Sequence, residues 1–271
     1  MAARRLTDDD VLAFERDGAV CLRGVMNDWV DTIAAGIERN LAEPGEFASE
    51  NASAEEGGRF FDDYCNWQRI PEFERVVRES PAADIAGDIM RSQRVQLFHD
   101  HVLVKDAGTA KATPWHQDLP YYFVDGDQMV SFWIPVDPVE EATLRFIAGS
   151  HRWPRLIRPT RWADDSAFYA DGDDGFMDTP DPDAEPENYR VLEWTLTPGD
   201  LIVFHYRTAH GARGNMARRQ RRVLSLRWLG DDARYVERPG RTSPPFPGHC
   251  MQPGQRLRED WFPVVREPAR V

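Results

Sequence analysis

Trp115-His116-Gln117-Asp118-Leu119, with His210 far downstream, is the stretch whose reading decides the fold. Residues 113–123 are rich in aromatic side chains and read as extended, so alternate side chains share a side and His116 and Asp118 face one point. His210 follows the apolar run Leu201-Ile202-Val203-Phe204 and precedes Gly211, which places it at the end of a strand. Two imidazoles and a carboxylate on one ion leave coordination positions open, as in the facial triad of non-haem Fe(II) oxygenases. In a chain with seven histidines, such a pair is about as often two ordinary polar residues at a strand end. A rival pair, His99-Asp100-His101, has the spacing of metal-binding barrels such as cupins, and spacing alone does not choose between them.

The surroundings set the architecture. From Arg94 onward, short apolar and aromatic runs bounded by Gly, Pro and Asp predict strands over 95–104, 129–136, 144–147, 189–194, 201–206 and 223–229. Upstream, Thr7 caps a helix whose third residue is Asp10, with Val11, Leu12 and Phe14 following and Gly18 placed to stop it. A short strand over 19–22 comes next, then a helix capped by Asn27, with Trp29, Ile33, Ile37 and Leu41 as its core stripe. Residues 51–58 read as a loop, and 71–78 and 82–90 as helices. Short strands behind a helical flank predict a mainly β fold with flanking helices, a cupin-like jelly-roll or double-stranded β-helix barrel. One domain spans 1–271: a largely helical flank over 1–93, barrel strands over 94–230, and an extended arm over 231–271. The Pro-rich arm wraps the domain or a second subunit, so a homo-oligomer is open. Residues 164–187 hold ten Asp or Glu and no Lys or Arg, and read either as a solvated loop or as a mobile lid.

At 271 residues and 41% hydrophobic content the chain can bury a sizeable core. Its net charge of −13 argues against nucleic acid or an anionic membrane surface as partner, since both need basic footprints, and leaves a small diffusible molecule. Cys21, Cys65 and Cys250 are odd in number and far apart, which fits a reducing compartment. The first ten residues carry charges where a signal peptide needs an apolar run, and no stretch of about 18 apolar residues occurs, so a cytoplasmic location is expected.

Alternation places Val95, Leu97, His99, His101 and Leu103 on one face, where His101 lines a pocket without binding metal; Ser131 and Trp133 share a face on the next strand. Beyond His210, a basic run leads into a strand on which Arg221, Val223, Ser225 and Arg227 share a side. A guanidinium pointing into a barrel needs an anion, and the carboxylate of a cosubstrate matches its fork.

With these residues in place, the chain resembles the phytanoyl-CoA dioxygenase family of Fe(II)- and 2-oxoglutarate-dependent oxygenases over residues 6–229. The likeness rests on Leu6-Thr7 through Phe14-Glu15-Arg16-Asp17-Gly18, Trp115 through Leu119, Phe132-Trp133-Ile134, Leu144-Arg145-Phe146, Gly149-Ser150-His151, and Pro198-Gly199-Asp200 through His210-Gly211. The resemblance implies that His116, Asp118 and His210 bind iron as the catalytic centre. It implies that Arg221 holds the distal carboxylate of 2-oxoglutarate, that Trp133 and His101 sit against that cosubstrate, and that His151 lies in a turn. The implied reaction consumes O2, releases succinate and CO2, and hydroxylates a C–H bond of a small molecule, with Trp115, Tyr121 and Tyr122 as candidates to position it. Halogenases of the family carry a small residue where this chain has Asp118, so hydroxylation is expected. Glu141-Ala142-Thr143 replaces a common Asn-Gly and weakens transfer of substrate identity. Two rivals stand beside this reading: a cupin-like isomerase or dioxygenase without cosubstrate, using His99 and His101, and a non-catalytic metabolite-binding barrel. With 33 Lys and Arg against 46 Asp and Glu, no anion-collecting surface favours a coenzyme A thioester over a small metabolite, amino-acid derivative or natural-product intermediate.

Overall fold

Thr7 Oγ accepts a hydrogen bond from the Asp10 amide while the Asp10 carboxylate accepts one from the Thr7 amide, so helix α1 (Asp8–Asp17) opens on the expected capping box. Gly18 closes it in the left-handed region at φ 79°. The structure is a computed structural model and describes residues 6–52, 58–162, 166–169 and 175–267. Strand β1 (Ala19–Leu22) follows as predicted. Helix α2 (Val30–Ala42) starts later than expected, because Asn27 begins a 3-10 turn and makes no side-chain cap. The remaining helices are α3 (Pro71–Glu79) and α4 (Ala82–Met90).

The first 93 residues are less helical than expected. Ser49–Ala52 (β2) and Phe60–Tyr64 (β3) are strands, so Asn51 and Ala52 leave the predicted loop, whose residues 53–57 lie outside the described ones. Strands β4 (Val95–Lys105), β5 (Thr113–His116), β6 (Val124–Asp125), β7 (Met129–Pro135) and β8 (Leu144–Ile147) come next. They are followed by β9 (Leu156–Ile157), β10 (Phe176–Met177), β11 (Val191–Glu193), β12 (Leu201–His205), β13 (His210–Ala212) and β14 (Arg221–Leu229). The last are β15 (Arg234–Tyr235) and β16 (Val264–Arg266).

The larger sheet runs β1-β12-β7-β14-β4-β3-β2, with β16 added to β4; the smaller runs β11-β8-β13-β5. The pairings in both are antiparallel. Strand alternation sorts the large sheet's side chains. Phe132, Leu224, Leu226 and Trp228 pack against Ile33, Ile37, Phe73 and Ile89 of the helices. Trp133, Val223, Ile202 and Phe204 pack against Leu144, Phe146 and Ala212 of the smaller sheet. Each of the large apolar side chains among them contributes roughly 1.5–3 kcal/mol by burial. Two packed sheets with helices on the outer face of one make the fold mainly β with flanking helices, the double-stranded β-helix of jelly-roll proteins.

The arm wraps its own chain. Met251, Leu257 and Phe262 are buried with Phe98, Phe123 and Tyr235, and β16 pairs with β4 opposite Gln96. In the acidic segment, residues 163–165 and 170–174 lie outside the described ones. The rest is largely exposed, as a solvated loop would be, and is tied down at a few points: Phe168 packs on Tyr121, the Tyr169 hydroxyl donates to Pro120 O at 2.7 Å, and Asp183 pairs with Arg145. Among the described residues, no helix is long and apolar enough to cross a membrane.

Candidate active site

The smaller sheet sets two of the three ligands. His116 ends β5, His210 begins β13, and the two are partners in the register, with ring centroids 4.2 Å apart. Asp118 reaches them differently from the expectation. β5 stops at His116, and Asp118 takes helical backbone angles (φ −68°, ψ −41°) ahead of a 3-10 turn over Leu119–Tyr121. Its Oδ1 comes to 3.7 Å from His116 Nε2 and 3.8 Å from His210 Nε2. Ligand atoms of the three buried residues all lie within 4.8 Å of one another.

The surroundings of each ligand fix its role. His116 Nδ1 donates to Pro114 O at 2.8 Å and His210 Nδ1 to Thr208 O at 2.9 Å. A carbonyl only accepts, so both protons sit on Nδ1 and each Nε2 presents a bare lone pair. Burial, with His210 beside it, pushes His116 down to about 3, and burial lowers His210 too, so both rings stay neutral as metal ligands must. Burial would raise the Asp118 carboxyl, but the charge of Arg227 outweighs it, with the Ser131 hydrogen bond adding to it, and holds the group well below the usual carboxylate range. Asp118 Oδ2 accepts from Ser131 Oγ at 2.6 Å and lies 3.1 Å from Arg227 Nε. The α1 terminus is tied to the same place: Gly18 O accepts from the His205 amide and from Thr208 Oγ1, and Thr208 O in turn orients His210.

Two cavities meet at this triad. The inner one is lined by His116 and His210 together with Thr113, Trp133, Phe204 and Arg221. Arg221 is buried, its guanidinium 5.3 Å from the Trp133 ring centroid, with Nη1 donating to Ala142 O at 2.8 Å. Its Nε finds no partner, nor does the indole N–H of Trp133. Burial pushes Arg221 down to about 10, which leaves it charged at neutral pH. A buried cation with an unfilled donor costs free energy unless an anion completes it. The inner cavity is small, about 20 Å³, so the fit is one of donor chemistry: the open Arg221 Nε and Trp133 N–H suit a carboxylate, and the two imidazoles with a carboxylate suit iron.

The outer cavity, of about 380 Å³, is bounded by His116 and Asp118 at its base and by Tyr64, Tyr121, Tyr122 and Trp162. Tyr121 and Tyr122 line it; the Tyr121 hydroxyl donates to Thr160 O and the Tyr122 hydroxyl accepts from Arg227 Nε at 2.9 Å. Trp115 does not line it. Next to His116 in β5, it is turned by alternation to the other side, where Arg145 stacks on it at 5.3 Å. His101 also departs from the expectation. It belongs to the outer cavity, with Nε2 2.9 Å from Asp62 Oδ2, and does not line the inner one where Arg221 lies. Among the described residues, His99 and His101 join no cluster of three metal-ligating groups. Arg227, Ser131 and Asp62 were not singled out as site residues, although alternation already put Arg227 on the Arg221 face and Ser131 beside Trp133.

Comparison with known proteins gives a family and a shared fold. The family model described as phytanoyl-CoA dioxygenase matches residues 14–223. No curated protein matches the chain by sequence. Among solved structures, the fold is similar to the non-haem α-ketoglutarate-dependent carbocyclase SnoK from nogalamycin biosynthesis, at 21% identity, TM-score 0.75 and 98% coverage of both chains. It is similar to the epimerase SnoN in complex with Fe3+, α-ketoglutarate and nogalamycin RO, at 21% identity and TM-score 0.75, covering 96% of this chain and 98% of that one. EctD from S. alaskensis, bound to 2-oxoglutarate and 5-hydroxyectoine, is similar at 18% identity and TM-score 0.68, covering 95% and 87%. With the family model spanning most of the chain and the His-Asp-His triad beside a buried arginine, the chain belongs to the phytanoyl-CoA dioxygenase family of iron- and 2-oxoglutarate-dependent enzymes.

Proposed function

We propose that this chain hydroxylates a C–H bond of a small molecule held in the outer cavity, with His116, Asp118 and His210 holding Fe(II) and Arg221 and Trp133 holding 2-oxoglutarate. Bound together, iron and 2-oxoglutarate supply the oxidation, in which O2 is consumed, 2-oxoglutarate becomes succinate and CO2, and one oxygen atom enters the substrate. The protein's part is placement. Arg221 grips the distal carboxylate and so fixes which end of the diacid faces the triad. Ser131 and Arg227 keep Asp118 ionised and hold its second oxygen. Tyr121, Tyr122 and Trp162 wall the substrate side and limit water.

One observation carries this reading: two cavities meet at His116, the outer reaching Asp118 and the inner His210, and the inner one contains a charged arginine with an unfilled donor. Asp118 favours hydroxylation over halogen transfer, since a carboxylate stands where the family's halogenases carry a small residue. A cosubstrate-free isomerase built on His99 and His101 loses support, because the ring nitrogen of His101 nearest Asp62 is committed to that carboxylate. A screen of candidate metabolites with Fe(II), 2-oxoglutarate and air tests the proposal. Succinate release coupled to a product one oxygen atom heavier is expected. A product isomerised or cyclised with no added oxygen would overturn hydroxylation, and no succinate under any condition would overturn the oxygenase reading itself.

A further inference from the structure

The outer cavity holds two histidines that the chemistry above does not use. His99 and His101 lie two residues apart on β4, so both project from one face of that strand, and both line the cavity. Their hydrogen-bond partners fix which nitrogen is bare. Asp62 Oδ1 accepts from Ser49 Oγ and Asn51 Nδ2, and Asp62 Oδ2 faces His101 Nε2 at 2.9 Å. A carboxylate accepts only, so His101 Nε2 carries a hydrogen; Nδ1 has no partner among the described residues and is the acceptor of the singly protonated ring. His99 Nδ1 donates to Asp100 O at 3.1 Å, leaving Nε2 buried and unpartnered. Burial, with Arg227 nearby, holds His99 well below its ordinary value, so that ring is a neutral acceptor as well.

Of the guanidinium groups lining the cavity among the described residues, Arg227 is paired with Asp118 and Tyr122, and Arg161, on the exposed side, donates to the Ala167 carbonyl. Asp62 and Asp118 line the same cavity, so an anion would meet carboxylates and acceptor nitrogens where a hydroxyl donor finds acceptors. The walls are flat rings: Trp162 stacks on His101 at an interplanar angle of 22°, and Phe47 on Tyr64 at 12°.

We propose that the outer cavity takes a planar, uncharged substrate bearing a hydroxyl group, which donates its hydrogen to the free nitrogen of His101 in the Asp62–His101 pair, with His99 Nε2 left to accept from a second donor on the substrate. This rests on the outer cavity being the substrate site. Asp62 acts as a positioning residue, fixing the ring so that its acceptor faces the ligand. The selected class is aromatic or fused-ring alcohols and phenols rather than acids or thioesters of charged carriers.

The test uses the full chain with no metal added, so that no turnover occurs, and equilibrium dialysis with 2-naphthol, its methyl ether and 2-naphthoate. The naphthol is expected to bind about tenfold tighter than the ether, the worth of one hydrogen bond to a buried acceptor, and tighter than the carboxylate. His101→Phe should erase the difference between naphthol and ether while leaving ether binding in place, which also shows that the variant is folded. Equal binding of naphthol and ether by the natural chain, preference for the carboxylate, or an undiminished naphthol advantage in His101→Phe would overturn the proposal. Heat of 2-oxoglutarate binding to the Fe(II)-loaded natural chain, measured separately, reports on the oxygenase reading, so the two can fail independently.

Discussion

Arg227 Nε lies 3.1 Å from Asp118 Oδ2, the carboxylate oxygen that also accepts from Ser131, while Oδ1 faces both ligand histidines. The register explains the arrangement, since Arg227 on β14 pairs opposite Ser131 on β7 and the turn after β5 delivers Asp118 to both. One oxygen is left for a metal and the other is held. A buried ion pair of this kind is weak evidence for stability, but removing one partner leaves the other charge stranded.

Replacing the arginine therefore tests the arrangement. Arg227→Met should cost the metal-free protein about 3–5 kcal/mol, because Asp118 loses its counter-charge. Iron affinity should fall about 10- to 100-fold, as when other residues that orient a metal ligand are lost. Urea unfolding and metal titration read the two effects, and a variant matching the natural protein in both would show that Arg227 does not support Asp118.

Arg221 is predicted to govern the cosubstrate. Burial brings it down to about 10, so below that pH the guanidinium is charged, and over pH 6–9 it should impose no change on 2-oxoglutarate affinity. Arg221→Met should weaken 2-oxoglutarate binding about 30-fold or more, corresponding to at least about 2 kcal/mol for truncating one side of a buried charge pair. Calorimetry across that pH range checks both, and affinity retained in the variant would move the diacid elsewhere.

Acid should destabilise the metal-free protein. Burial pushes His205 down to about 4 and His116 to about 3, and holds His99 and His210 below their ordinary value of 6.5. Unfolded histidines bind protons below about 6.5 while these folded rings do not, so the unfolded state gains protons and stability is lost as pH falls from 6.5 toward 4. Asp100, raised by burial to about 6, acts in the opposite sense between its unfolded value and 6, one group against four. Unfolding by urea at pH 7 and pH 5 should show the loss; equal or greater stability at pH 5 would mean the histidines are not held neutral.

Gly18 joins the first helix to the ligand strand. Its φ of 79° and a Cβ that would sit 2.4 Å from His151 Nδ1 and 2.5 Å from Thr208 Oγ1 leave no room for a side chain. Gly18→Ala should cost about 2 kcal/mol or more from left-handed strain and collision. It should also lower metal affinity, because Thr208 O holds the His210 ring. Unfolding and metal titration within error of the natural protein would contradict this coupling.

Much of the framework was legible because its signals are local. The Thr7–Asp10 capping box, the Gly18 stop, helix α4 and strand β8 follow from capping and periodicity over neighbouring residues. Strands β2 and β3 were not legible, since Phe60-Phe61-Asp62-Asp63 lacks alternation and aspartate is depleted in strands. Those carboxylates are tolerated because distant partners meet them: Ser49, Asn51 and His101 at Asp62, and Asn40 and the Gly45 amide at Asp63. The triad was legible from motif and order, but its geometry was not, because an extended 113–123 hides the turn that swings Asp118 toward Arg227. Trp115, offered with Tyr121 and Tyr122 as a candidate to position substrate, stands beside His116 in β5 and so faces the opposite side, against Arg145.

The central claim is a metal-dependent cosubstrate site built from His116, Asp118, His210 and Arg221. Its most direct test is the heat of 2-oxoglutarate binding, without O2, to the natural chain with and without Fe(II) and to Asp118→Ala with Fe(II). Binding at one molecule per chain that requires iron and is lost in Asp118→Ala is the predicted result; binding that is indifferent to iron, or that persists in Asp118→Ala, would contradict the account.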